Sequence, residues 1–415
     1  FSSTMLAGAI GVAAVMLFMI CVYRLPGVIS AITLAVYIFV VFLLYNAMGA
    51  VFTLSGIAAL VLGVGMAVDS NILTFERIKE SMYAGRSVKT AFREGSKDSF
   101  RTIVDAQLTT FISALILYIF GTGSVKGFAT MLIVSTITTL LLIVFIVRFL
   151  LGLLVNSGYL DERYELFGVK KGDVPDVSKG EERRKFTKFK GFDFVGKAKY
   201  FVCTSLAILA ISIVCIGVNG FSGNGVMNLG IDFTSGTTLT IQSDAAIDQA
   251  DLESQLEELG LDPSSVKING SESNIASVYL KDAVDADTMS TVKASLQETY
   301  GHEVTDNTVT PVIGQELVRN AVIISVLAWI GILIYMSVRF KWDYALSAIV
   351  ALIHDVLIIL AFCAIFRLEV NTEIVAVLLT IIGYSVNNSI VVFDRIRDRV
   401  RAHRGRIAKE EYREL

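Results

Sequence analysis

Charged residues and proline are both scarce in this sequence. Charged residues make up 18% of the chain, whereas soluble domains usually carry about a quarter. Four prolines occur in 415 residues, which suits long uninterrupted helices. Hydrophobic residues make up 54%. They fall into blocks of roughly 20 residues, the length that a helix needs to cross about 30 Å of hydrocarbon. The composition excludes an ordinary soluble protein and predicts a polytopic α-helical membrane protein.

Cysteine and histidine are scarce as well. Each of the four cysteines lies inside an apolar block and no pair has metal-ligand spacing, so we expect small buried side chains and no metal site. The glycine-rich stretches 63–65 and 121–127 lack the strand and helix that a nucleotide-binding loop requires. No nucleophile constellation is present. The sequence therefore predicts no enzymatic activity, no cofactor and no nucleic-acid partner, and energy must come from an ion gradient or a partner.

Nine apolar blocks are candidates for membrane-spanning helices, because backbone groups in lipid must be satisfied internally. They are Met5–Tyr23, Val28–Leu44, Val51–Phe75, Ile103–Phe120, Phe128–Leu151, Tyr200–Val218, Asn320–Ser337, Tyr344–Phe366 and Ile374–Phe393. Basic residues crowd the connections 76–101 and 170–199 and the tail 395–413. The positive-inside rule places these three segments in the cytoplasm, so the acidic segment 219–318 lies outside.

These patterns divide the chain into six regions. They are five spans within 1–155, a basic cytoplasmic linker at 156–198, one span at 199–218, an extracytoplasmic domain at 219–318, three spans within 319–394 and a basic cytoplasmic tail at 395–415. In the outer domain, strand patterns at 237–242, 266–269, 275–280 and 308–312 combine with amphipathic helices at 248–259 and 285–300. The order β-α-β-β-α-β predicts a small ferredoxin-like α+β domain.

Two segments of the chain repeat each other. Gly65–Ile78 aligns with Gly383–Ile396 without gaps at an offset of 318 (383 − 65 = 318). Glycine, valine, isoleucine, phenylalanine and arginine recur at matching places, and Glu76 matches Asp394. Chance similarity between apolar helices is the alternative, but polar and glycine positions match too. Parallel repeats related by an axis along the membrane normal are a known transporter plan, with sites at the repeat interface.

One acid, Asp69, lies well within an apolar helix. An acid at the bilayer centre costs about 3 kcal/mol on insertion scales, so we interpret it as a proton-binding carboxylate facing the bundle interior. A structural hydrogen bond between helices is the alternative. The small residues Gly63, Gly65 and Ala67 precede it and would let a neighbouring helix approach. The nearby Asn71 and the second-repeat residues Asn387 and Asn388 cannot carry a proton, and structural polar contacts are the safer interpretation for them.

Further ionisable residues interrupt the apolar blocks. His354 and Asp355 are either part of a proton path or a satisfied core pair, and they need not bond to each other. Asp105 is either a second proton-path acid or a carboxylate at a helix N-terminus.

Charged residues also mark the predicted cytoplasmic interface, where Glu76-Arg77 and Asp394-Arg395 lie. They either anchor the helices or form ion pairs that change during a transport cycle.

Several stretches resemble the SecD/SecF protein-export family in its fused SecDF arrangement. They are Gly65–Ile78 with Asp69, Ile103–Thr110 with Gly121–Gly123 and Val125–Ala129, Gly230–Thr237, Ala351–Val356 and Gly383–Arg397. The resemblance covers nearly the whole chain. It implies a relative of the RND transporter superfamily in the bacterial cytoplasmic membrane, in which proton flow helps to pull exported unfolded polypeptide. It also implies the SecYEG channel, SecA and a YidC-like insertase as partners.

The sequence departs from the family pattern in three respects. The family usually has one more helix and a large extracytoplasmic domain before this point, and two more helices after it, so we expect a fragment. The acid expected near Asn388 in the second repeat is an amide, which shifts the proton role to Asp69 with Asp105 and Asp355. Ser235 stands where glycine is usual. Two other functions remain open: an RND-type exporter of small molecules or lipids, and a scaffold of the export complex that conducts no protons.

Overall fold

The computed structural model describes residues 2–175, 193, 195–222, 225–270, 274–340 and 342–402. Parts of the predicted linker 156–198 and of the predicted tail 395–415 therefore lie outside the described residues. The chain forms two compact units. The first unit contains 1–208, 324–358 and 376–415, and the second contains 209–323 and 359–375.

Long helices dominate the first half of the chain. They are α1 (Ser2–Tyr23), α2 (Leu25–Ala47), α3 (Leu54–Tyr83), α4 (Val88–Phe120), α5 (Gly123–Thr138) and α6 (Val144–Asn156). A π-helical turn, Thr139–Ile143, joins α5 to α6. Where this turn begins, the hydroxyls of Thr138 and Thr139 donate to carbonyls four residues back, a bond that often bends helices.

The second half contains α7 (Ala198–Phe221), a short helix α8 (Ile231–Thr234), α9 (Gln249–Glu258), α10 (Ala286–Tyr300), α11 (Pro311–Arg339), α12 (Trp342–Ile365) and α13 (Thr372–Ala402). Within the described residues, eight helical segments are long and apolar enough to span a membrane, counting α5 and α6 as one segment. The ninth predicted span lies in α13, a continuous helix of 31 residues. The prediction of a polytopic helical membrane protein is confirmed.

The repeat extends to whole helices. Adding 318 to the bounds of α2 gives 343 and 365, and α12 runs from 342 to 365. Adding 318 to the bounds of α3 gives 372 and 401, and α13 runs from 372 to 402. The chance-similarity alternative does not account for this agreement in helix length and position.

The basic stretch 76–101 differs from its prediction as a connecting segment. Helix α3 continues to Tyr83, and α4 begins at Val88 after Ser87, whose side chain accepts a hydrogen bond from the Thr90 amide. The connection is therefore four residues long. Apart from Arg86 in the connection, the charged residues of 76–101 lie on α3 and α4, because hydropathy marks the lipid boundary rather than the end of a helix.

Close helix packing in the first unit depends on particular glycines. A Cβ at Gly63 would lie 2.7 Å from the Ser135 Cβ, and one at Gly95 would lie 2.6 Å from the Ile78 backbone nitrogen. These contacts hold α3 against α5 and α4. Gly65, predicted to serve the same purpose, has nothing within 4 Å. The cysteine prediction was partly wrong, since Cys21 and Cys203 are exposed on outer faces of apolar helices.

The second unit contains the predicted α+β domain. Its strands are β1 (Gly236–Gln242), β2 (Pro263–Asn269), β3 (Ile275–Leu280) and β4 (Thr305–Val309), in the antiparallel order β2-β3-β1-β4. With α9 and α10 this is the predicted ferredoxin-like order. Asp248 and Asp285 cap the two helices by accepting backbone hydrogen bonds. The core includes Leu239, Ile241, Leu252, Leu256, Val278 and Leu296.

Hydrogen bonds within the second unit join the segment before β1 to the turn between α12 and α13. Backbone hydrogen bonds of 2.8 Å run from the Val370 amide to the Asn228 carbonyl and from the Gly230 amide to the Val370 carbonyl. The Asp232 carboxylate accepts bonds of 2.9 and 2.8 Å from the backbone amide and the hydroxyl of Thr372. Asp232 thus satisfies an otherwise unpaired amide at the N-terminus of α13.

Ser235 occupies a backbone conformation that favours glycine, with φ 63° and ψ 163°. Non-glycine residues there carry a cost of about 1–3 kcal/mol. We expect Ser235→Gly to slow hydrogen exchange of the β1 and β3 amides, consistent with stabilisation of about 1 kcal/mol. Ser254→Gly, on the exposed face of α9, should speed exchange, because glycine within a helix is unfavourable. Equal exchange in Ser235→Gly and the native protein would show that the serine is not strained.

Candidate proton-translocation site

Asp69 contacts its own repeat equivalent. The Asn387 side-chain Nδ2 donates a hydrogen bond of 2.9 Å to Asp69 Oδ2, and the two residues are separated by 318 positions. One lies on α3 and the other on α13, at the same place in each repeated helix. A carboxylate from one repeat therefore meets an amide from the other. This geometry agrees with the prediction that Asp69 faces the bundle interior.

The remaining predicted amides behave differently. Asn71 is buried and donates a bond of 2.7 Å to the Ser30 hydroxyl on α2. It connects helices of the first half rather than the two repeats. Asn388 is exposed. Next to Asp69, the Ser70 hydroxyl accepts a bond of 3.3 Å from Gln107 on α4. Among the described contacts of these three amides, the bond from Asn387 to Asp69 is the one that joins the repeats.

Asp105 forms a buried ion pair with Arg339 of α11. Tyr335, one turn earlier on α11, donates a bond of 2.9 Å to Asp105 Oδ1. The side chains of Asp105 and Arg339 are 9% and 14% exposed. The helix-terminus alternative for Asp105 was wrong, because α4 begins at Val88 and Asp105 lies in its interior.

His354 and Asp355 do contact each other. The His354 Nδ1 lies 3.0 Å from Asp355 Oδ1, and the Ser385 hydroxyl of α13 donates to Asp355 Oδ2. Their side chains are 45% and 40% exposed, far more than that of Asp105. Asp69, Asp105 and Asp355 thus have separate polar partners, each of which links two helices. A proton path through them stays a prediction.

Charged residues near the predicted cytoplasmic interface pair between the repeats. Arg77 on α3 lies 3.7 Å from Asp394 and 3.9 Å from Asp398, both on α13. Asp394 also pairs with Arg397 and accepts a bond of 2.7 Å from the Thr102 hydroxyl on α4. The Arg77 and Asp394 side chains are almost fully buried, so their contact is a packed part of the bundle.

A symmetry-related pair joins Arg395 to Glu80. Adding 318 converts Arg77 to 395 and Glu80 to 398, so Arg77–Asp398 and Arg395–Glu80 are the same interaction seen from each repeat. Glu76 breaks the symmetry. It accepts a bond of 2.9 Å from Tyr23 and pairs with Lys79 at 3.5 Å, whereas its equivalent Asp394 contacts the other repeat.

Glu80 and Asp398 were missed by sequence reasoning, although extending the repeat by two residues would have found them. The series 75–80 reads Phe-Glu-Arg-Ile-Lys-Glu, and 393–398 reads Phe-Asp-Arg-Ile-Arg-Asp. Arg339 and Tyr335 carry no such signal, since only tertiary packing shows which acid they contact.

The pair Arg395–Glu80 can be tested by charge exchange. We expect Glu80→Arg to lower the unfolding temperature slightly, and Glu80→Arg with Arg395→Glu to restore it. The coupling should be about 0.5 kcal/mol, because both side chains are more than a third exposed and solvent weakens the interaction. The measurement is a double-mutant cycle by thermal unfolding in detergent. Purely additive effects would mean that the two side chains do not interact.

The described residues contain no group of three or more His, Cys, Asp or Glu side chains that could hold a metal ion. Instead the site consists of acids paired with amides, hydroxyls and arginines across apolar helices. These features define a multi-pass membrane protein built from repeated helices, with ionisable groups between the repeats and a folded domain inserted in the second half.

Comparison with known proteins identifies the family. The family described as protein export membrane protein SecD/SecF, C-terminal, matches residues 1–157 and 291–413. The SecD/SecF GG motif matches 223–247, a range that includes the strained Ser235. The chain belongs to the SecD/SecF family of protein export membrane proteins and is a multi-pass protein of the bacterial cytoplasmic membrane.

Individual relatives agree with this assignment. Protein translocase subunit SecDF of Bacillus subtilis is 46% identical over 399 residues, covering 96% of this chain and 53% of the relative. SecDF of Brucella abortus is 33% identical, covering 97% and 51%. The crystal structure of SecDF from Thermus thermophilus, titled a translocon-associated membrane protein, matches with a TM-score of 0.82 and 30% identity, covering 100% of this chain and 54% of that one. The chain spans about half the length of these relatives.

Proposed function

We propose that this chain is the membrane part of a proton-coupled accessory subunit of the Sec protein translocase, which promotes late export of polypeptides across the cytoplasmic membrane. The observation that carries the proposal is the hydrogen bond from Asn387 to Asp69 between the two repeats. Protonation of Asp69 removes the charge that this amide stabilises. Because the two protonation states differ in their affinity for Asn387, proton binding can shift the equilibrium between arrangements of α3 and α13.

Asp105, His354 and Asp355 are proposed as further groups on the proton path. Each is an ionisable group within an apolar helix, a position that is costly without a use. The ion pair of Asp105 with Arg339 and the contact of Asp355 with Ser385 would respond to a change of charge. The interfacial ion pairs that join α3 to α13, Arg77 with Asp394 and Asp398 and Arg395 with Glu80, would then limit movement between the repeats.

The partners follow from the same proposal. SecYEG, SecA and a YidC-like insertase are the proposed protein partners, and an unfolded exported polypeptide is the substrate. The names of the relatives, which are translocase subunits, support this assembly. The subunit would perform mechanical work on the polypeptide with a proton gradient in place of a cofactor, and no catalytic residue is assigned.

The experiment is export of a secretory polypeptide into inverted membrane vesicles with and without the whole protein. We expect a proton gradient to stimulate export only when the protein is present, and a sodium gradient alone to have no effect. Stimulation that persists after the gradient is dissipated would favour the non-conducting scaffold. The observation that supports the scaffold is that the second repeat has an amide, Asn387, where the first repeat has the acid Asp69. Drug resistance on overexpression, with no effect on export, would favour a small-molecule exporter.

A further inference from the structure

A polar cleft of about 530 Å³ lies in the second unit. Its walls come from edge strand β2, from β3, from the segment 228–235 and from the turn between α12 and α13. The volume falls within the range of about 300–1,000 Å³ that is usual for ligand sites. None of the residues assigned above to proton transfer lines this cleft.

Cations outnumber acids along the cleft. Lys267, Lys281 and Arg367 line it, and Glu369 is the acid among its lining residues. Glu369 lies 3.8 Å from Lys267 and accepts a bond of 3.3 Å from Tyr279. Partial burial and the neighbouring carboxylate raise the pKa of Tyr279, so it remains a neutral hydrogen-bond donor. Lys281 and Arg367 add two further cationic side chains to the same lining.

The walls of the cleft are held in place by hydrogen bonds. Arg367 Nη1 donates to the Gly225 carbonyl at 3.0 Å, and Asn228 Nδ2 donates to the Arg367 carbonyl at 3.0 Å. The backbone bonds between Val370 and the segment 228–230 close the same region. A preformed cleft loses little entropy when a ligand binds.

Large exposed apolar side chains lie close in the sequence to the residues that line the cleft. Phe221 ends α7 and is 96% exposed, and Phe366 follows α12 and is 64% exposed. Leu229 and Leu368 are also exposed. Leu229 lines the cleft, and Leu368 lies in the chain between the lining residues Arg367 and Glu369. Apolar side chains at the ends of membrane helices, next to basic residues, are suited to the boundary between acyl chains and headgroups.

We propose that this cleft binds the headgroup of an anionic phospholipid from the outer leaflet. The lipid phosphate would lie against Lys281 and Arg367, because arginine and lysine form strong charge-assisted bonds to phosphate. The hydroxyls of Ser264 and Ser265 would face the glycerol part of the headgroup. The acyl chains would lie along Leu229 and Leu368. This inference is independent of proton coupling.

The test uses the whole protein, delipidated and returned to nanodiscs that contain phosphatidylglycerol or only phosphatidylcholine. Native mass spectrometry after release from the discs counts the retained lipids. We expect phosphatidylglycerol to be retained preferentially, and Lys281→Gln to weaken its retention about tenfold, as expected for loss of one charge-assisted bond. Lys293→Gln is the matched control, since Lys293 is in the same domain and pairs with Asp306.

Unchanged hydrogen exchange of β1 and β3 in Lys281→Gln will show that the variant is folded. Equal retention of the two lipids, or equal weakening by Lys281→Gln and Lys293→Gln, would overturn the proposal. Competition by free glycerol phosphate at the same concentration would make the cleft a soluble-anion site instead. Cross-linking of the Lys281→Cys variant to an unfolded polypeptide, with none to lipid, would make the cleft a peptide site and also overturn the proposal.

Discussion

Replacing Asp69 by asparagine is expected to remove the gradient-dependent part of polypeptide export and to leave the protein inserted in the membrane. The amide of asparagine has nearly the same shape as a protonated carboxyl group and can still accept a hydrogen bond from Asn387 Nδ2. The substitution therefore removes the change of charge and keeps the contact. The measurement is export by vesicles carrying the whole protein, with export in a dissipated gradient as the baseline to which the variant should fall.

The matched control is Asn388→Ala, at an exposed position one residue from the amide that contacts Asp69. We expect it to retain gradient-dependent export. Asp69→Glu keeps an ionisable group but lengthens it by one methylene, so it should retain part of the activity. Full gradient-dependent export in Asp69→Asn would exclude this carboxylate as the coupling group and leave the scaffold function as the better interpretation.

The second large effect is expected at Asp105 and Arg339. Asp105→Asn removes the only carboxylate found within ion-pair distance of Arg339 among the described residues. Leaving a buried charge without its partner costs about 3–5 kcal/mol. We expect a comparable loss of stability, measured as thermal unfolding in detergent, with Tyr335→Phe costing about 1 kcal/mol through one lost hydrogen bond.

The double variant Asp105→Leu with Arg339→Met separates the ion pair from the packing around it. Replacing both charges by apolar side chains of similar volume is often neutral or stabilising. We therefore expect the double variant to recover most of the stability that Asp105→Asn loses. If the double variant is as unstable as Asp105→Asn, the cost lies in packing at α4 and α11 and not in an unpaired charge.

Much of this architecture could be predicted from the sequence because it depends on periodicity and hydropathy. The spans, the order of strands and helices in the α+β domain, and the repeat all follow from local patterns. The capping roles of Asp248 and Asp285 could also be expected from their positions before amphipathic helices. Helix bounds were less accurate at 76–101, because polar residues there continue the helices beyond the apolar blocks.

Partners across helices could not be predicted in the same way. The local sequence indicates only a structural polar contact for Asn387, and nothing local shows that it meets Asp69. Arg339 lies 234 positions from Asp105 along the chain, and only the packing of α4 against α11 brings them together. Repeat symmetry is the exception, because the offset of 318 relates Arg77–Asp398 to Arg395–Glu80 and could have been used in advance.

The cap that Asp232 provides has a mechanical consequence. Thr372 is the first residue of α13, and Asp232 holds it through both its backbone amide and its hydroxyl. A sliding or turning movement of this first helical turn must therefore either carry the segment around Asp232 with it or break both bonds.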